Sequence, residues 1–416
     1  MLWVMALSLP ACRKDKDNTP PVIRLDSPVL GALFYFNNAI TIEGSVNDES
    51  NLESVQIEIT NAQGQRFLET VSFYPDGNTY SINYSIAHND LYLISGTYYV
   101  KITAEDGENQ QILFREIQLI EAPRTLEKIF VVRNTGGTTA IDTTASNTPL
   151  SCITYPEEYR FGGIDSRTNQ LVACGVSTAS LLSLSYPDFQ PINAAFPPVA
   201  ETITAFLHEK STHAFYWGTQ EGNIWKTTTQ GTQLLATLAS PVTQIATNSS
   251  HLIAITEGTT SSYVQVLRID NGIVETALTL DWEIRGVVHI PADTERMLLI
   301  GNQAGNAHFA WLNLTTSAIN EVFNFYETSP VLSVCATSGN DFYVAHNLGI
   351  AHYQNALNNY TLSGGTSASK LVYDDLNETL WAISNDEIRV LDESAQSVLQ
   401  TIPAIGVQDI WIKYTK

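Results

Sequence analysis

Cysteine, methionine and positive charge are scarce in this chain of 416 residues, which has four cysteines, three methionines and 21 lysines and arginines. With Cys12 set aside at the N-terminus, Cys152, Cys174 and Cys335 are odd in number and lack the paired spacing of a zinc site or a redox motif, so no disulfide framework holds the fold. Cys174 and Cys335 stand in apolar, strand-like runs and read as buried thiols. The basic residues face 43 aspartates and glutamates, and a net charge of -22 repels nucleic-acid phosphates, which excludes nucleic acid as a partner. The chain has no Gly-rich phosphate loop, His-Glu-x-x-His, Gly-x-Ser-x-Gly or Cys-x-x-Cys. It also lacks a helical apolar period of useful length.

The longest apolar stretch at the N-terminus, residues 1–11, is shorter than the roughly 20 residues a membrane-spanning helix needs. It ends in Leu9-Pro10-Ala11-Cys12 and gives way to Arg13-Lys14-Asp15-Lys16-Asp17-Asn18-Thr19-Pro20-Pro21, a solvated tether spanning 12–21 with Cys12. This resembles the signal peptide and lipobox of bacterial lipoproteins, and the charged run after the cysteine is similar to export signals of the Bacteroidetes. The resemblance implies cleavage before Cys12, acylation of its thiol and new amine, and an outer-membrane address facing the periplasm or the cell surface. Each buried methylene contributes about 0.8 kcal/mol, so several acyl chains anchor stably where one does not.

Residues 22–122 read as one β domain. Ile40-Thr41-Ile42-Glu43-Gly44-Ser45-Val46 alternates, as do Val55, Ile57 and Ile59, and turn signals stand at Asn61-Ala62-Gln63-Gly64 and Pro75-Asp76-Gly77-Asn78. Short strands at this density predict a two-sheet sandwich. Val46-Asn47-Asp48-Glu49-Ser50 together with Gly96-Thr97-Tyr98 resembles extracellular bacterial immunoglobulin-like and fibronectin-type modules, which act as spacers or adhesive surfaces. Asp48, Glu49, Asp106 and Glu108 read first as solvated turn carboxylates, with a calcium site as the less ordinary alternative.

From 126 to 416 one phrase returns: an alternating strand, a polar or glycine-bearing turn, and a second alternating strand. Ala214-Phe215-Tyr216-Trp217-Gly218 leads to Asn223-Ile224-Trp225, and Met297-Leu298-Leu299-Ile300-Gly301 leads to Ala307-His308-Phe309-Ala310-Trp311. Seven such copies recur at intervals of about 40 residues, the period of a propeller blade with room for four strands each. The segment Gln408-Asp409-Ile410-Trp411-Ile412-Lys413-Tyr414 is left over, while the first copy starts at what should be its second strand, Lys128. Pairing the two would close the ring and remove the last exposed edges. The predicted fold is therefore all-β, an immunoglobulin-like sandwich followed by a seven-bladed β-propeller closed by the C-terminal strand. The repeat part resembles the YVTN, quinoprotein and WD40-like propellers, without the Trp-Asp signature of WD40 or the tryptophan docking pattern of quinone-dependent dehydrogenases. No family catalytic residue carries over, and the sequence names no cofactor, which stays unknown.

His208 and His213, and His346 and His352, are close in sequence without forming a ligand set, and read as exposed or packed on strands. Asp165, Asp270, Asp374, Asp375, Asp386, Asp392 and Asp409 recur at strand ends and turns, where an aspartate caps local amides. Aromatic rings point instead to binding. Tyr159, Trp282 and Tyr326 precede inner strands, and are the candidate ligand-binding residues because loops there gather around the central channel. The reading that results is a non-catalytic envelope lipoprotein gripping a protein or glycan. An extracellular hydrolase or lyase at the channel mouth, and a structural subunit of an outer-membrane complex, are the alternatives.

Overall fold

A computed structural model describes all residues except 1–17, 68–69, 146–147, 177–180, 193–200, 229, 258–260, 292, 323–328, 338, 355–358, 365–366 and 385. Among the described residues every regular element is a strand. The chain forms two compact units, one ending at Pro123 and including Lys416, the other running from Arg124 to Thr415.

The first unit is a sandwich of two sheets. Val22–Ser27, Ala39–Asn47 and Thr79–Ala87 form one, and Ala32–Tyr35, Gln110–Ile120, Gly96–Glu105, Ser54–Asn61 and Val71–Phe73, in that order, form the other. The alternating residues of the sequence become its core: Ile40, Ile42 and Val46 from the first sheet pack with Val55, Ile57, Ile59, Val100 and Ile102 from the second. Each such side chain contributes about 1.5–3 kcal/mol when fully buried. Asp48 and Asp106 accept hydrogen bonds from amides of their own turns, Ser50 N at 2.7 Å and Asn109 N at 2.6 Å.

Among the described residues the second unit holds seven sheets, lettered here in chain order. Sheet A comprises 126–155 with Val407–Tyr414 added at its inner side; B spans 159–185, C 203–237, D 242–280, E 283–321, F 331–364 and G 370–403. Every recurring strand pair in the sequence is an antiparallel hairpin within one sheet, in the middle of the four-stranded sheets and at the outer side of the three-stranded sheet B. The leading strands touch one another in succession from B to G, then that of G touches Val407–Tyr414, which touches the leading strand of B. This radial arrangement is of the propeller type. The expected closing pair is present: Ile410 lies opposite Val131, Trp411 opposite Phe130 and Ile412 opposite Ile129.

Each of the seven contacts between neighbouring sheets carries its own apolar cluster. Between E and F, for example, Leu298, Ile300 and Phe309 meet Val331, Phe342, Val344 and Tyr353. Six leading strands also share a bulge near their start, after the first residue at Arg160, Thr204, Thr243, Leu332 and Gln408 and after the second at Arg285; the leading strand of G pairs without one. A bulge twists the strand and re-aims its side chains. Glycine faces three of these points, Gly175, Gly218 and Gly301, and a Cβ on Gly301 would stand 1.9 Å from Glu283 O.

Candidate functional site

The leading strands end at Asp165, Glu209, Thr247, His289, Ala336, Asp374 and Tyr414, which places these residues at one mouth of the ring. Several tie one sheet to the next. Asp165 Oδ2 accepts from His208 Nε2 and from His213 Nδ1, both at 2.9 Å, and Oδ1 accepts from Thr168 N at 2.6 Å. Burial opposes ionisation of Asp165, but the bonds from His208, Thr168 and His213 outweigh it and hold the carboxyl well below the usual range. Tyr414 Oη donates to Asp374 Oδ1 at 2.7 Å, and Thr247 Oγ1 donates to Glu209 Oε2.

Between these ties lies a cavity of about 520 Å³ lined from sheets C, F and G and the loop after the leading strand of E. Glu209, Lys210, Ser211, Cys335, Tyr373 and Asp375 give it its chemistry. Burial opposes ionisation of Glu209, yet donors from Thr247 and Ser211 lower its pKa, so it is an acceptor and not an acid. Burial pushes the Cys335 thiol up to about 12 against the opposing charge of Lys210. Burial, with the carboxylates Glu393, Glu378, Asp375 and Asp341, pushes the Tyr373 phenol up to about 12 as well. His289, at the end of the leading strand of E, has its imidazole pKa lowered by burial, which Glu209 and Asp293 offset only in part; its Nε2 is buried without a hydrogen-bond partner. At neutral pH the mouth therefore holds a neutral thiol and a neutral phenol beside an ionised Glu209. These groups give it good hydrogen-bonding capacity.

The ring's other end receives Tyr159 and Trp282, two of the residues singled out from sequence. Tyr159 is 5 % exposed and packs against Trp411 in the A–B cluster, its Oη donating to the buried Asp409, which also holds Lys370 Nζ at 2.5 Å. Trp282 is 3 % exposed and packs in the D–E cluster. Both rings thus lie in the walls between sheets and not around the channel. For Tyr159 the cause is its partners on the closing strand, since its ring buries against Trp411 and its hydroxyl is satisfied by Asp409. Tyr326 and Cys12 lie outside the described residues.

His346 and His352 are packed on strands as expected: both are buried, and His352 stacks on Tyr343 at 4.4 Å. His208 and His213 do more than the sequence indicates, because they converge on one carboxylate from the preceding sheet. Among the described residues no group of three or more His, Cys, Asp or Glu side chains is arranged to hold a metal ion. Cys152, Cys174 and Cys335 form no disulfide; Cys174 is buried, Cys335 partly so and Cys152 exposed. Of the mouth residues, Glu209 and Tyr373 escape sequence reading, and Cys335 reads only as a buried thiol. Their common signal is register, since each stands at or next to the end of a leading strand.

No family model matches the chain and no curated protein matches it. Solved structures do resemble it. A protein from Lactobacillus plantarum is 13 % identical with a TM-score of 0.54, over 70 % of this chain and 100 % of that one. The Sqt1 protein of Saccharomyces cerevisiae is 15 % identical with a TM-score of 0.51, over 68 % of this chain and 85 % of that one. A quinoprotein alcohol dehydrogenase-like protein from Bacteroides thetaiotaomicron is 12 % identical with a TM-score of 0.49, over 94 % of this chain and 99 % of that one. At such identities the likeness speaks to fold alone. The chain is an all-β protein of propeller type.

Proposed function

We propose that the protein is a non-catalytic cell-envelope lipoprotein, anchored through acylated Cys12, in which an immunoglobulin-like spacer carries a seven-bladed propeller that binds a protein or glycan at its mouth. Seven sheets in closed succession support the blade count, and the two-sheet sandwich supports the spacer. The observation that carries the binding role is the state of the mouth cavity. Its thiol and phenol are held neutral, and Glu209 is held ionised by Thr247 and Ser211, so these groups offer donors and an acceptor to a hydrogen-bonding partner. Lys210 is exposed at the rim and Tyr373 supplies a ring at low entropic cost.

The test places a photo-crosslinking amino acid at Lys210 in cells of the source organism. One discrete envelope adduct is expected, lost with Tyr373→Ala and with a membrane fraction that no longer retains the protein after Cys12→Ser. A crosslinker at Leu399, exposed on the outer strand of sheet G, serves as control. Adducts no different from that control would refute the mouth as the binding site. Hydrolysis or elimination of an envelope glycan or peptide by the purified protein, abolished by Glu209→Gln, would replace the binding role with catalysis.

A further inference from the structure

The sandwich leaves one long strand edge unpaired. Thr79–Ala87 pairs with Ala39–Asn47 along its whole length, from Thr79 on Asn47 to Ala87 on Ala39, without a bulge. Among the described residues no backbone group of 79–87 has a partner on its other side. An open edge of this length is a template for another strand, and folds blunt such edges with short strands, charge, proline or bulges. The other three edges of the sandwich are blunted in this way. Val22–Ser27 carries Arg24, Asp26 and a bulge, and the edge strands of the second sheet, Ala32–Tyr35 and Val71–Phe73, are four and three residues long. Thr79–Ala87 has none of these devices: its sequence, Thr-Tyr-Ser-Ile-Asn-Tyr-Ser-Ile-Ala, holds no charge, proline or glycine.

That sequence matches itself when run antiparallel. A two-fold axis makes residue i meet j while j meets i, so an axis at Asn83 sets 82 opposite 84, 81 opposite 85, 80 opposite 86 and 79 opposite 87 of a second copy. On the outer face Asn83 then meets Asn83, each Ser81 a Ser85 and each Thr79 an Ala87, all of them exposed in the single chain. On the inner face each Ile82 meets a Tyr84 and each Tyr80 an Ile86. Hydroxyls facing each other and aromatic rings facing β-branched side chains are favourable cross-strand pairs. The inner-face rings stand at the rim of the core, where Tyr80 and Tyr84 are half-buried and pack on Phe73 at ring-centroid distances of 5.2 and 5.8 Å. Two copies of a chain of net charge -22 repel, and a stretch without a carboxylate is where close approach costs least. A strand of another protein would not require this edge to match its own reverse; a second copy does.

We propose that two copies join edge to edge through Thr79–Ala87, antiparallel about Asn83, so that two three-stranded sheets become one continuous sheet. One strand pair is a small interface, so the dimer is reversible and needs concentrated protein. The test is sedimentation equilibrium and oxidative crosslinking of the whole chain carrying Cys12→Ser and, to remove the exposed thiol, Cys152→Ser. A monomer–dimer equilibrium is expected at concentrations up to about 1 mM. Ser81→Lys with Ser85→Lys should weaken it about tenfold or more, because like charges then stand directly opposite. Ser81→Lys with Ser85→Glu should restore it, because the same register brings opposite charges together. Both side chains are exposed, so circular dichroism of the monomer should not change. Asn83→Cys should give a disulfide-linked dimer with copper phenanthroline, since the two Cα atoms would stand about 4.5–5.5 Å apart. Glu43→Cys, at the exposed position paired with Asn83 in the next strand, should not, because three strand spacings of about 4.8 Å separate the two copies there. A chain that stays monomeric at about 1 mM overturns the proposal and leaves the edge to a strand of another protein. Association indifferent to both charge pairs, or crosslinking at Glu43→Cys equal to that at Asn83→Cys, overturns it as well.

Discussion

Asp165 shows how much one buried carboxylate does in this fold. It accepts two imidazole donors from the next sheet and two bonds from Thr168, and its side chain is 2 % exposed. Hydrogen bonds to a charged group contribute about 1.5–3 kcal/mol each, so Asp165→Ala should cost roughly 3 kcal/mol or more through His208 and His213 left without their acceptor. The same residue sets a pH dependence. Its folded pKa is depressed below the unfolded value near 3.9, so its stabilisation is complete above that value and is lost as pH falls toward the folded pKa. Urea denaturation of wild type and Asp165→Ala should therefore show the largest gap in midpoint at pH 7 and a narrowing gap below about pH 4; an equal gap at both pH values would contradict the assignment. The sequence shows Asp165 only as a turn aspartate. That half of its role is present in the bonds to Thr168, three residues on, but the two histidines lie 43 and 48 positions away and no local pattern announces them.

Strands and hairpins are the level at which this sequence is most legible. Alternation in 297–301 and 307–312 becomes Arg296–Gln303 paired with Asn306–Asn313, because a period of two places Leu298 and Ile300 on one face and Met297 and Leu299 on the other, each face packing on a different neighbouring sheet. The shared bulge was not legible, since one extra residue leaves composition and alternation almost unchanged. The glycines opposite it are its physical trace. A Cβ on Gly301 would meet Glu283 O at 1.9 Å and Ile284 Cα at 2.9 Å, both backbone atoms that cannot rotate aside. Gly301→Ala should thus displace the leading strand of sheet E and destabilise the protein by about 1–3 kcal/mol, the range for forced overpacking. Gly136, at a turn with open space around its missing Cβ, bounds the simple effect of its positive φ of 75°, and Gly136→Ala should cost no more than about 1 kcal/mol. Thermal unfolding of both variants decides the point; equal shifts would show that the bulge tolerates a Cβ.

At the scale of the whole molecule, the chain's two distant ends of the second unit make one sheet. The closing strand could be inferred from an unpaired remainder because strand edges must be paired or protected, whereas the mouth could not, since Glu209, Cys335 and Tyr373 are brought together only when the ring is complete. Closure is also where stability concentrates. Val407, Ile410, Trp411 and Tyr414 are each 4 % exposed or less, and at about 1.5–3 kcal/mol per buried large side chain their loss alone approaches the roughly 5–15 kcal/mol that keeps a domain folded. The strand also carries Asp409, which joins Lys370 on one side to Tyr159 on the other, and Tyr414, which binds Asp374 in sheet G and Ser166 after the leading strand of B. Its removal thus opens both of its interfaces and exposes the edge of Leu126–Asn134. A chain ending at Ala404 should lose the cooperative melt of the second unit while 18–123, with its own core, keeps β-sheet circular dichroism and protease resistance. Adding back a peptide of residues 405–416 should restore the melt by re-forming the register of Ile410 on Val131. A truncated chain that still melts cooperatively at the wild-type temperature would mean that the ring does not depend on its closing strand.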